Sequence, residues 1–248
     1  MKKFILCLSV ILVACTGEVK NTAALEEPKP LSDTTTCTAV IENDTILGDT
    51  NLFFPKIKLA DTLVAEKINK HLTVQMISYY TLDELKEYKE NFKKDSILFG
   101  LTAAGYEITY NKDCLLSLTL NLETMGAYPS GYSAYRNFDV SSGDSISLEK
   151  LLDETKINDL VKLCNDTLQK RIERCRKEYA DQDFILESLT DHQFIRKSLV
   201  NFYVTNTEVV LFYDFGFAHA IQGTEPDGFI KINRTDFRKY LKVDPYKF

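Results

Sequence analysis

Apolar and polar residues alternate twice in the middle of this chain, and that rhythm limits what the chain can fold into. Tyr106, Ile108 and Tyr110 alternate with polar residues, and after Asn111-Lys112-Asp113 so do Leu116, Leu118, Leu120 and Leu122. Successive side chains of a strand point to opposite faces, so a period of two collects one apolar set on one face. The spacing predicts a hairpin with one buried face, turned at 111–113, with residues 132–140 (YSAYRNFDV) as a third strand.

Other stretches repeat at helical spacing. Leu63, Val64, Ile68, Leu72, Met76 and Tyr79 mark one helix. Thr81-Leu82-Asp83-Glu84 reads as a capping box opening a second, which carries Leu85, Tyr88, Phe92 and Phe99 as far as Gly100. Ser147 should cap a short helix holding Leu151 and Leu152. Leu160, Val161, Cys164, Leu168, Ile172 and Tyr179 form the apolar face of a longer one, and 184–199 reads as another. Short strands are expected at 37–41 (CTAVI) and, after a turn at Asn43-Asp44, through Ile46. Others are expected at 202–204, 209–215 and 229–232, before a closing helix at 235–241. Helices grouped between antiparallel hairpins indicate an α+β fold, a sheet packed with amphipathic helices. An N-terminal module at 37–134 and a C-terminal module at 135–248 are expected to pack as one unit.

The first residues have a separate purpose. Lys2 and Lys3 precede an apolar run from Phe4 to Val13, interrupted by Ser9 alone and closed by Leu12-Val13-Ala14-Cys15. That layout is a secretory signal over residues 1–14, too short to span a bilayer, which takes about 20 apolar residues. Leu-Val-Ala-Cys resembles the lipobox of bacterial lipoproteins, which implies acylation of Cys15 and cleavage before it. Residues 16–36 (TGEVKNTAALEEPKPLSDTTT) lack apolar periodicity and are rich in Thr, Glu and Pro, so 15–36 reads as a lipidated tether. The expectation is a palmitate-type anchor in the cell envelope, outside the cytoplasm.

Cutting before Cys15 removes Lys2 and Lys3 and no acid, moving the net charge from −6 to −8. An acidic chain with no basic run argues against nucleic acid, and against docking on anionic lipid by charge. Membrane contact is therefore expected through the lipid alone. Four cysteines remain in the folded part: Cys37, Cys114, Cys164 and Cys175. An exported chain may form disulfides, and four cysteines allow three pairings. On one continuous helix Cys164 and Cys175 lie about 16 Å apart at 1.5 Å per residue, beyond the roughly 7 Å reach of a disulfide.

Four stretches carry a likeness to a known family. They are Phe54-Pro55-Lys56-Ile57 leading into Glu66-Lys67-Ile68-Asn69, and the Leu-rich strand ending at Gly126. The third is Tyr135-Arg136-Asn137-Phe138-Asp139 with Gly143, Ile146-Ser147-Leu148 and Leu151. The last is Phe202-Tyr203-Val204-Thr205 with Val209 to Tyr213, then Ile232 and Phe237. In this order they resemble a family of envelope proteins containing a domain of unknown function. It includes the extracellular region of the lysozyme-sensing anti-sigma-V factor and the non-catalytic module that precedes some peptidoglycan deacetylases. The resemblance implies a non-catalytic binding or sensing module whose ligand is a lysozyme-like protein or a cell-wall glycan. The chain departs from the family pattern at two loops. Gly126-Ala127-Tyr128-Pro129-Ser130-Gly131 stands where Gly-Gly-Ala-His-Gly is expected, and 216–228 (GFAHAIQGTEPDG) replaces a short apolar loop.

Catalytic signals are sparse. Ser147-Leu148-Glu149-Lys150 spells SxxK without a Lys-Thr-Gly or Ser-Asp-Asn partner. Asp139 to Lys150 begins like a calcium loop, but Asp144 stands at the sixth position and Lys150 at the twelfth, so it reads as a turn. His71, His192 and His219 fall in separate elements with no zinc spacing. No catalytic residue, metal or cofactor is expected. The alternative is a cell-wall hydrolase or deacetylase whose site residues come from distant segments. The best binding candidates are Tyr128, Tyr132 and Tyr135 around Pro129 and Gly131, because exposed aromatics on a stiff loop make good anchors. Against that stands local packing of the same rings over the hairpin end.

Overall fold

The alternating leucines build the central strand of a three-stranded sheet. The computed structural model describes residues 37–45, 53–76, 101–125 and 128–248. In it β1 (Val40–Thr45) and β2 (Phe53–Lys58) pair antiparallel ahead of α1 (Thr62–Met76). The middle sheet follows: β3 (Leu101–Lys112), β4 (Leu115–Met125) and β5 (Pro129–Asp139), antiparallel and in sequence order. Next come α2 (Leu148–Leu151), α3 (Ile157–Glu178) and α4 (Asp183–Ser188). A second antiparallel sheet then forms from β6 (Phe202–Val204), β7 (Glu208–Phe212) and β8 (Phe229–Asn233), closed by α5 (Arg234–Phe237). The fold is α+β. Thr35 to Phe248 make one compact unit. The helix expected at 81–100 lies outside the described residues.

Three local expectations shift. Asn43 and Asp44 do not turn; they stay in β1 opposite Pro55 and Phe54, with Asn43 accepting a hydrogen bond from the Tyr106 hydroxyl. Ser147 sits at the N-cap of α2 but makes no capping bond with its side chain. The helix expected over 184–199 is only the short α4, followed by a separate 3-10 turn at Arg196–Val200. By contrast α3 buries Leu160, Cys164, Leu168 and Ile172 along the expected stripe.

The β3–β4 hairpin closes at Lys112 opposite Leu115, one residue later than the spacing suggests. Asp113 and Cys114 form the turn, with φ of 51° and 61°. Two consecutive left-handed residues are the mark of the tight turn that follows hairpin twist. Cysteine seldom takes that backbone unaided. Here it is bonded to Cys37, with the two Cα atoms 4.6 Å apart. The Cys114 N–H also donates to the Cys37 carbonyl at 3.0 Å. Asn111 completes the join, accepting from the Ala39 N–H (2.9 Å) and donating to its carbonyl (2.8 Å). Cys164 and Cys175 are buried free thiols, as a continuous α3 requires.

Both faces of β4, not one, are covered over Leu115 to Leu120, while Asn121 and Glu123 farther along the polar face are exposed. Leu116, Leu118, Leu120 and Leu122 pack with Phe54, Ile57, Ile68, Leu72 and Phe138 from β2, α1 and β5. A side chain of this kind contributes about 2 kcal/mol on burial. The opposite face carries Ser117 and Thr119, also buried, and meets the β6–β8 sheet. That sheet packs its other side on α3, burying Val209, Leu211, Ile230 and Ile232 with Leu160 and Leu168. The boundary expected between 134 and 135 therefore falls inside β5, and the two cores divide across the faces of the middle sheet.

Candidate functional site

Strand β6 pairs with β7 only, so its outer edge needs other partners for its backbone groups. Polar side chains of the middle sheet supply them. The Ser117 hydroxyl accepts from the Val204 N–H at 2.9 Å, and the Asn137 amide donates to the Phe202 carbonyl at 2.8 Å. Thr109 donates to Ser117 at 3.0 Å. This buried seam fixes β6 across the outer face of β4 and β5. It explains why a strand read as having a wet face buries serine and asparagine there.

Beyond the seam the two sheets part, leaving a groove of about 510 Å³. Glu107, Thr109, Thr119, Asn121 and Ser133 line it from the middle sheet. The β6–β8 sheet contributes Tyr203 and Phe229, with Asn206 and Thr207 from the β6–β7 turn. Tyr135 belongs to both walls. It lines the groove, stacks on Tyr203 (ring centroids 5.4 Å apart, planes 22° apart) and touches Phe212 and Phe229 at 5.3 and 6.4 Å. Burial, then the neighbouring Tyr203 and Asp214, push its hydroxyl up to about 12. Burial, followed by Glu107, Glu208 and Asp227, raises the Tyr203 hydroxyl too. Both stay neutral donors at ordinary pH. Ser133 donates to the side-chain amide oxygen (Oδ1) of Asn121 at 2.8 Å, so that pair is held in place.

The three tyrosines singled out in the sequence separate. Residues 129–136 are strand, because β5 pairs with β4 from Asp139 back to Pro129, in full register with Leu115 to Met125. Tyr135 is 6% exposed and is aromatic core, so it is not a free loop anchor. Tyr132 lies opposite Leu122 and is 38% exposed. Tyr128 is 68% exposed and stacks on His219 with centroids 5.6 Å apart. A ring nitrogen of His219 lies 2.6 Å from the Pro129 carbonyl. The two loops that depart from the family pattern thus touch each other.

The remaining histidines are engaged in packing. His192 meets the Tyr213 hydroxyl (3.1 Å) and the Ser188 carbonyl (2.8 Å), and sits among Phe215 and Phe217. His71 stands edge-on to Phe138, its pKa lowered by burial and then by Arg136. Burial pushes the Cys164 thiol up to about 12, so it stays protonated. The Asp139 segment is a turn: its carboxylate accepts from the Ser141 N–H at 2.7 Å, and Gly143 adopts φ 72°. Among the described residues no group of three or more His, Cys, Asp or Glu is placed to hold a metal ion, and no helix is long and apolar enough to cross a membrane.

Sequence reasoning missed the groove. Its one available signal was the run Ser117, Thr119, Asn121 on alternate positions, which by itself reads as a solvent face.

No family model matches the chain, and no curated protein does. Solved structures are similar, two DUF3298 family proteins among them. One is a DUF3298 family protein from Pseudomonas aeruginosa PAO1, with TM-score 0.55 and 15% identity over 84% of this chain and 94% of that one. The other is a DUF3298 family member from Bacteroides fragilis NCTC 9343, with TM-score 0.49 and 15% identity over 84% and 93%. At that identity the Pseudomonas likeness speaks for the fold: this chain has the α+β architecture of a domain of unknown function, the DUF3298 protein of P. aeruginosa.

Proposed function

We propose that this chain is a lipid-anchored binding or sensing module of the bacterial cell envelope, non-catalytic, with a protein or cell-wall glycan as ligand. The groove between the two sheets carries the reading. It is a concave cleft in which polar side chains converge beside aromatic rings, with its walls fixed by buried side-chain hydrogen bonds, a pre-organisation that lowers the cost of holding a ligand. Its lining includes one carboxylate side chain, Glu107, whereas glycoside hydrolysis ordinarily takes two acting together. The Cys37–Cys114 bridge supports an oxidising compartment, in keeping with the signal at 1–14 and the lipid expected on Cys15. The likeness to the anti-sigma-V and deacetylase-associated modules supports the same reading.

The test is co-sedimentation of the purified full chain with isolated cell-wall sacculi and, separately, with envelope proteins of its own cell. Retention on either, with wall fragments of unchanged mass, is the expected result. Turnover of the wall abolished by one Asp, Glu or His substitution would instead make the chain an enzyme.

A further inference from the structure

The chemistry of the groove narrows its ligand. Its polar groups are hydroxyls, the side-chain amides of Asn121 and Asn206, and the Glu107 carboxylate; neither lysine nor arginine lines it. Phosphates, sulfates and carboxylates are held by cations or by helix N-termini, and this lining offers neither. A purely apolar ligand would leave these groups without partners, at a cost for each. An uncharged polyhydroxyl ligand satisfies both walls at once. Its hydroxyls pair with the amides and the carboxylate, which can accept from two of them. Its C–H faces rest on the rings of Tyr203 and Phe229, whose centroids lie 6.4 Å apart.

We propose that this groove binds an uncharged oligosaccharide, with Glu107 and Asn121 holding sugar hydroxyls and the edge-to-face pair Tyr203 and Phe229 giving apolar ring surface to its C–H groups. This rests on the binding-module reading and adds the site and ligand class to it. Glu107 and Asn121 are both exposed and outside the buried seam, so replacing them should spare the fold. Tyr203 is half-buried against Tyr135, so its replacement risks the core and is a weaker probe.

The experiment is calorimetric titration of the full chain with tetra-N-acetylchitotetraose, an uncharged tetramer. Its fully deacetylated cationic counterpart and the cationic protein lysozyme serve as comparisons. The expected result is binding at one site per chain that is insensitive to salt, as it must be for a neutral ligand. Glu107→Gln and Asn121→Ala should each weaken it by about ten-fold or more, the usual scale for losing a hydrogen bond to a charged or well-placed partner. Lys162→Ala, on the exposed face of α3, should leave it unchanged. Melting curves of all three variants should match that of the parent. Absence of tetramer binding, or equal binding by the Glu107 and Asn121 variants, overturns the proposal. Salt-sensitive binding of lysozyme or of the cationic tetramer alone, weakened by Glu107→Gln, also overturns it, though the chain would remain a binding module. Cleavage of the tetramer would overturn the non-catalytic reading itself.

Discussion

Tyr128 and Tyr135 are the same residue type seven positions apart, yet they live in different media. The ring of Tyr135 is surrounded by Tyr203, Phe212 and Phe229, while that of Tyr128 has His219 on one side and solvent around it. Removing a buried aromatic costs roughly 3–5 kcal/mol, whereas an exposed surface change stays within about 0.5 kcal/mol. Tyr135→Ala should therefore shift the urea midpoint strongly, and Tyr128→Ala hardly at all. Equal shifts would contradict the placement of β5. His71 offers a pH test. Its folded pKa lies below the ordinary imidazole value of about 6.5, so below that pH the unfolded chain binds a proton that the folded chain refuses. Stability should fall as pH drops below about 6.5, and His71→Gln should flatten that fall in urea titrations taken at several pH values. Parallel pH profiles for the two proteins would assign the acid sensitivity elsewhere.

At the scale of elements, side chains stand in where strands run out of partners. Asn69 of α1 both donates to and accepts from Ile57 of β2 at 2.8 Å, Asn111 does the same for Ala39, and Asn137 with Ser117 serves β6. Such amides reproduce the pattern of a neighbouring strand and so close an edge against a stray one. The join at Cys37–Cys114 combines one of these clasps with a cross-link spanning 77 residues. A loop of that size loses considerable freedom in the unfolded chain, and removing the bridge typically costs about 2–4 kcal/mol. Cys37→Ser should lose stability on that scale by urea denaturation, and Cys114→Gly less than Cys37→Ser, because glycine accepts the left-handed turn at no steric cost. Equal losses would mean that the turn carries no backbone penalty.

Legibility also divides by element. The leucine alternation of β4 and the stripe on α3 were readable because each periodicity reports a face covered along its whole length. The turn was read one residue early, at 111–113, since nothing local marks Cys114 for a left-handed backbone and its support comes from Cys37. The burial of Tyr135 and of Ser117 was not readable, because what covers them arrives from Phe202 onward, some 70 to 90 positions later. Periodicity says that a face is apolar; it does not say which distant sheet will close a polar one.

For the whole molecule, the two three-stranded sheets pack with the β1–β2 pair and the helices into one unit, in which the seam at Ser117 and Asn137 sets where those two sheets touch and where they part. The parting is the groove, and the central claim is that envelope ligands are held there intact. The most direct test is nuclear magnetic resonance of the isotope-labelled full chain titrated with solubilised wall glycan. Shifts should concentrate on Glu107, Thr119, Asn121, Ser133 and Tyr203 and saturate together, with the glycan recovered unchanged. Shifts confined to the Tyr128–His219 end, or a shortened glycan, would contradict that claim.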